Sequence, residues 1–431
     1  MKGFGFGSRC ICIGAVAALL SGCDSSHSGV GSPVPAIPAM RSGSNAATSS
    51  DEKVLYSFTG GEDGGNAATA LVLDQQGNLY GTTVVGGAYQ CGTVFSLGRQ
   101  ASPPWPETVL YNFTCYSDGK NPHGGVVFDP SGNLDGTTVA GGSGGPCASD
   151  GCGVVFQLAY QQQPRNETVL HNFTAGSDGF GPGGAVVFDK KGNVYGTTPD
   201  GGSGYVGVVY QVSHHGQKWH EQVIHTFTGG KDGGVGSLGP LLLDSAGDLY
   251  GVTEEGGSYS AGTVFKLSHS GKSWKLTPLY EFKGGTDAGS PYGGLVADAS
   301  GNLYGTTYYG GANGLGTVFE LARKNKHKYR ERVLYSFKGG SDGSFSTTTL
   351  TFGSSNELYG TTSMGGASCD CGTIFEINAK SGKEKVLHAF GSGTDGAYPY
   401  YGLAKDASGN FYGSTVVGGA YGQGAVFEFT P

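Results

Sequence analysis

The chain has 431 residues, of which 83 are glycine, 14% are charged and 37% are hydrophobic, and its formal net charge is −8. Such a glycine-rich composition can belong to a disordered chain, but 22 Phe and 24 Tyr recur here in register and provide apolar surface to bury. The acidic balance argues against a nucleic-acid partner, which favours a basic stripe. We interpret the one short basic stretch, Arg323–Arg332, as a soluble connection between two sequence units.

Residues 1–22 have the features of a secretory signal peptide. Lys2 and Arg9 precede an apolar run that is too short to span a bilayer as a helix. The sequence Leu-Ser-Gly-Cys ending at Cys23 resembles the lipobox of bacterial lipoproteins and implies a lipid on that cysteine. An ordinary signal peptide cleaved nearby is the alternative. Residues 23–52 are rich in Ser, Gly, Pro and Ala, so we expect a flexible tether.

From Val54 onward the sequence repeats one pattern seven times. Each unit reads Val-Leu-Tyr-x-Phe, a Gly-rich turn with Asp, an apolar run, Gly-Asn-Leu-Tyr-Gly-Thr-Thr and Gly-Thr-Val-Phe. The Phe that closes the first element recurs at Phe58, Phe113, Phe173, Phe227, Phe282, Phe337 and Phe390. A nearly constant period of this length indicates a repeat architecture.

Each unit contains four strand-like segments separated by turn residues. In the second unit they are Thr108–Thr114, Gly125–Asp129, Asn133–Thr138 and Gly153–Leu158. Val, Leu, Phe, Tyr and Thr dominate them, whereas Gly, Pro, Asn and Asp fill the gaps. Seven units of four strands predict an all-β fold, a seven-bladed β-propeller over residues 53–431.

The phase of the repeat predicts how the ring closes. If Val-Leu-Tyr-x-Phe is the outer strand of the preceding blade, residues 53–59 complete the seventh blade and join the two ends of the domain. Closure protects strand edges that an open array would expose. An open β-solenoid is the alternative, but it needs atypical capping units, and neither terminal unit is atypical.

The Gly-Asn-Leu-Tyr-Gly-Thr-Thr and Gly-Thr-Val-Phe motifs, spaced by a Gly-Gly pair, resemble those of the GloVer tandem-repeat proteins. These are bacterial exported proteins, also called "choice-of-anchor" proteins because members carry different surface anchors. The resemblance runs from about Val54 to Phe427 and recurs in all seven units. It implies export and anchoring, with the lipobox as the anchor, and no established activity. Asp135, where other units have Tyr, departs from the pattern and puts the packing of that blade in doubt.

An aspartate follows the Gly-rich turn of every unit. The seven are Asp63, Asp118, Asp178, Asp232, Asp287, Asp342 and Asp395. Such a ring could bind calcium or polar sugars, but we favour turn capping, because a residue needed in every blade usually builds the blade. Three histidines occupy the strand position that Tyr holds in the other units: His171, His225 and His388. We expect them to be strand residues, and we predict no bound metal and no cofactor.

Six cysteines follow Cys23 and form three candidate disulfides: Cys91–Cys115, Cys147–Cys152 and Cys369–Cys371. Antiparallel pairing could set Cys91, at the start of a third strand, beside Cys115, at the end of the next outer strand. The second pair would close a small loop, and the third would be strained. An exported compartment permits disulfides. Six reduced, buried thiols are the alternative.

The loops that join second to third strands, and outer to inner strands, should emerge on one face of the ring, the upper face. Residues beside the Gly-Gly pairs vary most between units and are free to carry specificity. Our candidate binding residues are Tyr308, Tyr309, Tyr292, Glu254, Glu255, Tyr398, Tyr400 and Tyr401. Their aromatic bias suits sugar rings or peptide chains. Neutral variation on a solvated rim is the alternative.

No Ser-His-Asp or Cys-His set stands out from the repeat. We therefore expect a binding or surface-interaction module with an extracellular glycan or peptide ligand, held at a membrane through its lipid. It would be monomeric and either periplasmic or on the cell surface. The competing function is an extracellular hydrolase or lyase that acts on a glycan or lactone-like substrate.

Overall fold

The computed structural model describes residues 52–143, 147, 150–160, 166–216, 218–236, 239–271, 273–325, 328–366, 369–391 and 393–431. The predicted signal peptide, the lipidation site Cys23 and the tether up to residue 51 lie outside the described residues. No helix in the described ranges is long and apolar enough to cross a membrane.

Seven antiparallel sheets, here called blades 1 to 7 in chain order, make up the described domain. The first strands are β1 (Glu52–Ser57), β2 (Val72–Leu73), β3 (Leu79–Thr83), β4 (Thr93–Leu97), β5 (Glu107–Asn112), β6 (Val126–Phe128), β7 (Leu134–Thr138), β8 (Val154–Leu158), β9 (Glu167–Asn172) and β10 (Val187–Phe188). They are followed by β11 (Val194–Thr198), β12 (Val208–His215), β13 (Lys218–Thr226), β14 (Gly234–Gly236), β15 (Leu242–Leu243), β16 (Leu249–Glu255), β17 (Thr263–Ser270), β18 (Ser273–Glu281), β19 (Ala288–Pro291) and β20 (Val296–Ala297). The last are β21 (Leu303–Gly310), β22 (Thr317–Asn325), β23 (Lys328–Ser336), β24 (Thr351–Phe352), β25 (Glu357–Thr362), β26 (Thr373–Asn378), β27 (Glu384–Ala389), β28 (Ala404–Lys405), β29 (Phe411–Thr415) and β30 (Ala425–Phe429), with a 3-10 turn at Gly340–Asp342.

The strand order confirms the prediction of a seven-bladed β-propeller. In each blade the strands lie inner, second, third and outer, as in β2-β3-β4-β5 of blade 1. In blades 4 and 5 the inner strand is divided into two short pieces that both pair with the second strand. The β4 and β5 strands, like their counterparts, are joined by hairpins at the end opposite the predicted upper face.

The N-terminal strand closes the ring, as predicted. β1 pairs with β30 from Glu52 opposite Phe429 to Ser57 opposite Ala425, and so becomes the outer strand of blade 7. A further bond crosses the closure inside the ring, where the Ser414 hydroxyl donates to the Thr69 carbonyl at 2.9 Å. The open-solenoid alternative is therefore wrong.

Each seam between blades is built on one aromatic contact. The aromatic residue that ends an outer strand packs edge-on against an aromatic residue in the third strand of the next blade, with ring centroids 5.0–5.4 Å apart. The pairs are Phe58–Phe95, Phe113–Phe156, Phe173–Tyr210, Phe227–Phe265, Phe282–Phe319, Phe337–Phe375 and Phe390–Phe427. All fourteen rings are fully buried. The regular spacing of Phe in the sequence is therefore the spacing of the seams.

Close approach of neighbouring inner strands explains the glycine pairs there. A Cβ on Gly124 would overlap the backbone of Gly184 in the next blade, and one on Gly293 would overlap the Thr348 carbonyl. Larger residues at these points would push the inner strands apart.

The hairpins between third and outer strands differ in length from blade to blade. In blades 3, 4 and 5 the third strand continues three or four residues beyond its counterpart in blade 1, which extends these hairpins by about 10 Å at the rise of a β-strand. The basic stretch Arg323–Arg332 lies in the hairpin of blade 5. It is thus part of one blade, and our interpretation of it as a link between units needs that correction.

Asp135 in β7 is the clearest departure from the repeat. In blade 1 the Tyr80 hydroxyl donates to the turn carboxylate of Asp74 at 2.9 Å. Asp135 is fully buried, one of its oxygens has no hydrogen-bond partner, and only Gln157 donates to the other, at 3.3 Å. Burial, followed by the nearby charge of Asp129, raises the pKa of Asp135 well above its usual value.

We predict that Asp135→Asn stabilises the domain at neutral and higher pH. The unfolded carboxyl ionises above about pH 4, whereas the folded one keeps its proton, so wild-type stability falls as the pH rises above that value. The variant lacks this loss. Its free energy of unfolding should therefore exceed that of the wild type by on the order of 1 kcal/mol at pH 8 and equal it at pH 4. Urea unfolding at both pH values measures the difference, and an equal change at the two would contradict the assignment.

Candidate functional site

The upper face is held by backbone contacts that recur between its loops. The loop before each inner strand pairs with the loop after the second strand, as in the bridges Gly65–Val85 and Ala397–Val417. In blades 4 and 5 the same pairing is long enough to form strands β14 and β19. The upper loops therefore form a fixed frame from which side chains can project.

The same position in each loop before an inner strand has a left-handed backbone. The seven are Asn66, Asn121, Gly181, Val235, Ser290, Phe345 and Tyr398. The amide of each donates to a carbonyl just before the third strand of the preceding blade, at 2.7–3.0 Å. This bond fixes where the inner strand starts, and with it the residue two positions later, which is Tyr292 in blade 5 and Tyr400 in blade 7.

Five candidate residues converge near the axis on the upper face, and we call them the mouth cluster: Glu254, Tyr292, Tyr308, Tyr400 and Tyr401. Burial raises the pKa of Tyr292 well above its usual value, and the charges of the other four raise it further. Glu254 and Tyr308 come from blades 4 and 5, but Tyr400 and Tyr401 come from blade 7. Tyr292 and Tyr400 hold the same register position in their blades, and Glu254 and Tyr308 lie at the upper ends of β16 and β21, so these side chains share the upper face.

Two buried carboxyl groups lie on one side of the mouth. Burial, then the charges of Glu255 and Asp200, raise the pKa of Glu254 to about 8. Burial alone raises the pKa of Asp200, in the upper loop of blade 3, to about 6. Of the two groups, Glu254 keeps its proton to the higher pH and is the better hydrogen-bond donor, whereas Asp200 ionises first and is the better acceptor.

Aromatic side chains from blades 5 and 6 form the other side. Tyr308 stacks on Phe345 of the next blade, with centroids 4.9 Å apart and planes at 30°. Tyr309 packs edge-on against both rings and remains 54% exposed. This arrangement gives a ligand one accessible tyrosine face supported by two fixed rings.

The variable positions beside the Gly-Gly pairs are less exposed than expected. The first residue of several pairs is buried, as for Val84, Ser363 and Val416. These residues pack within the upper face, so only part of their variation is available to a ligand. At these three positions, variation between units therefore changes packing within the upper face.

Three candidates lie outside the mouth cluster: Tyr309, Tyr398 and Glu255. Tyr309 packs against Tyr308, whereas Tyr398 packs against the core cluster that contains Cys371 and donates its amide to the Cys371 carbonyl. Glu255 is exposed beside Glu254. The sequence reasoning missed His123, Asp200 and Phe345. His123 holds the inner-strand position of Tyr292 in blade 2, and burial lowers its pKa to about 4. Alignment of the inner strands on their left-handed residues would have found it.

The repeated aspartates cap their own turns, which confirms the interpretation that we favoured. Each carboxylate accepts a hydrogen bond from a backbone amide four residues earlier, at 2.7–3.1 Å. Tyr56 and Tyr111 donate to their aspartates, and His171 and His225 contact theirs at 3.3 and 3.1 Å. His388 also lies 3.3 Å from Asp395, but without hydrogen-bond geometry. These histidines are therefore strand residues that replace Tyr.

No group of three His, Cys, Asp or Glu side chains within the described ranges is placed to hold a metal ion.

The structure joins the three cysteine pairs, with Cα separations of 5.4 Å for Cys91–Cys115 and 5.3 Å for both Cys147–Cys152 and Cys369–Cys371. Cys115 lies three residues beyond the end of β5, with a φ of 73°, and not in the outer strand as predicted. The backbone carbonyls of Cys91, Cys152 and Cys371 accept hydrogen bonds from the backbone amides of the left-handed residues in the next blades. Each bridge therefore supports a loop at a blade seam.

We predict that Cys115→Ser lowers the free energy of unfolding by about 3 kcal/mol, because the bridge closes a chain segment of 24 residues. Thermal unfolding without reductant should show the loss, and added reductant should remove the difference from wild type. Peptide mapping without reductant that recovered Cys115 as a free thiol would contradict the pairing.

The family model of the Gloeobacter/Verrucomicrobia repeat matches residues 144–351 and 241–431. The chain belongs to this family. The match confirms the resemblance carried by the Gly-Thr-Thr motifs. No curated protein matches the chain in sequence.

Solved structures with a similar fold share little sequence with this family member. A candidate 6-phosphogluconolactonase from Bacteroides uniformis is 14% identical, with a TM-score of 0.47 over 75% of this chain and 84% of its own. A sialidase of Trypanosoma rangeli, in complex with sialic acid, is 10% identical, with a TM-score of 0.41 over 77% of this chain and 56% of its own. At these values the similarities assign neither a substrate nor a reaction.

Proposed function

We propose that the protein is an exported, lipid-anchored propeller that binds a sugar-containing ligand at the mouth cluster. The observation that supports this most directly is the stacked Tyr308–Phe345 pair on the upper face, with the exposed ring of Tyr309 packed against it. Sites for small ligands combine aromatic walls with a few polar groups that fix orientation. Tyrosine offers a large rigid face and a hydroxyl at low entropic cost.

The carboxyl pair suits hydroxyl groups on such a ligand. A protonated Glu254 donates and an ionised Asp200 accepts, so the two recognise opposite ends of hydroxyl dipoles at pH 7. Tyr309 supplies an exposed ring on the other side. The arrangement favours a neutral or weakly charged sugar over a strong anion, which would meet Asp200 at close range.

The same pair supports the competing function. Two carboxyl groups with separated pKa values are the acid and base of glycoside hydrolysis in many enzymes. In that case Glu254 would protonate the leaving oxygen and Asp200 would activate water. The binding and enzymatic functions differ in what Glu254→Gln removes, because a binder loses affinity gradually and an enzyme loses turnover.

We predict that Tyr309→Ala weakens glycan binding about tenfold or more and leaves the melting temperature unchanged, because the side chain is half exposed. A glycan array followed by calorimetric titration of the best oligosaccharide measures the change. Tyr259→Ala is the matched control, since Tyr259 is also on the upper face and 58% exposed but is not part of the group formed by Tyr308, Tyr309 and Phe345. An equal loss of affinity in the two variants would show that the ligand does not bind at the mouth. If the wild-type protein converts the oligosaccharide to a product, and Glu254→Gln abolishes that conversion, the protein is an enzyme.

The anchor is tested separately. Cys23→Ser removes the thiol that would carry the lipid, so the protein should move from the membrane to the soluble fraction. Immunoblots of fractionated cells that express each form measure this, and a variant still membrane-bound after detergent-free washing contradicts the anchor.

A further inference from the structure

A second surface lies at the end of the ring opposite the mouth, here called the lower face. Three neighbouring hairpins extend there, and their described residues are 213–216 and 218–220 in blade 3, 268–271 and 273–277 in blade 4, and 322–325 and 328–330 in blade 5. We call them the hairpin patch. The sequence of these segments contains no acidic residue, although the chain as a whole carries a net charge of −8.

The cations of the hairpin patch are exposed and unpaired. Lys218, Lys275, Lys324, Lys328 and Arg330 are all exposed, and none of them makes an ion pair with an acidic side chain in the described part of the chain. Cations held free of partners at the tips of extended hairpins are available to an external anion.

The hairpins are fixed to the ring. Trp274, at the blade 4 tip, packs edge-on against Tyr195 of blade 3, with centroids 5.9 Å apart. Tyr329 is half-buried and packs against the core cluster that contains Tyr250 of blade 4. The basic side chains therefore project from a preformed surface, so little backbone ordering opposes binding.

A groove of about 570 Å³ runs along the seam of blades 4 and 5 beside this patch. Its lining includes Lys324, Lys328 and Arg330 of the patch, Glu331 as the acidic member, and Lys283, which belongs to the upper-face loop that follows β18. Burial, followed by the charge of Asp287, raises the pKa of Glu331 to about 7. The groove has space for a phosphorylated headgroup next to the cations at the hairpin tips.

The chain enters the ring at the same face. Glu52, the first residue of β1, lies opposite Phe429 at the lower end of β30. The expected tether of residues 23–52 would join the propeller at this point, so a lipid on Cys23 would bring the lower face toward the bilayer.

We propose that the hairpin patch docks on an anionic phospholipid surface, so that the lower face lies against the membrane and the mouth points away from it. This orientation rests in part on the proposed anchor, but the docking itself does not require the lipid. Basic residues near such a surface are attracted by its negative potential, each with about a fivefold gain in partitioning at moderate salt.

The test uses the full chain with Cys23→Ser, so that no lipid on the thiol can contribute. Co-sedimentation with phosphatidylglycerol vesicles is compared with phosphatidylcholine vesicles for two triple variants. One is Lys324→Gln, Lys328→Gln and Arg330→Gln in the patch. The matched control is Lys120→Gln, Lys231→Gln and Lys338→Gln, which removes the same charge from the upper face. Residues 1–51 are common to both, so their contribution cancels.

We expect the patch variant to bind phosphatidylglycerol vesicles on the order of 100-fold more weakly and the control to bind like the parent. Equal binding by the two variants, or equal binding of the parent to both lipids, overturns the proposal. Retention on immobilised dextran sulfate without vesicle binding would assign the patch to an anionic polymer instead and would also overturn it. If the hairpin patch does not bind vesicles, glycan binding at the mouth and release of the Cys23→Ser variant from cell membranes can still be measured. The proposals are therefore tested independently.

Discussion

The ring depends on the edge-to-face contact between aromatic residues at each blade seam. Such a contact contributes about 0.5–1.5 kcal/mol beyond the area that it buries. Because it is repeated at seven seams, with centroids no more than 5.4 Å apart, it sets the angle between neighbouring blades. The turn aspartates and left-handed residues then hold the upper loops over these seams. Variation at the mouth is tolerated because none of these contacts passes through it.

The sequence predicts the features that repeat. The spacing of Phe58 and its counterparts predicts seven blades, and the phase of the first strand predicts closure by β1. Both follow from residues that every unit needs for the same physical reason. The capping role of the turn aspartates could be predicted for the same reason, since a residue present in all seven units usually stabilises the repeat itself.

The mouth could be predicted only in part, because it is made by what differs between blades. Tyr292 and Tyr400 were found through their residue type, but the sequence alone does not show that they hold the same register position in blades 5 and 7. Phe345 was missed because its role comes from stacking on Tyr308 of another blade. Asp200 was missed because its significance lies in burial next to Glu254. Contacts between side chains that differ from unit to unit carry no signature at the repeat period.

Hydrogen–deuterium exchange with and without the bound oligosaccharide tests the central claim, that the mouth is the binding site. The account predicts slower exchange on binding in peptides that cover residues 254–255, 290–293, 308–309 and 398–401, with no change in the hairpin patch. Slower exchange confined to the lower hairpins, with none at the mouth, would contradict it.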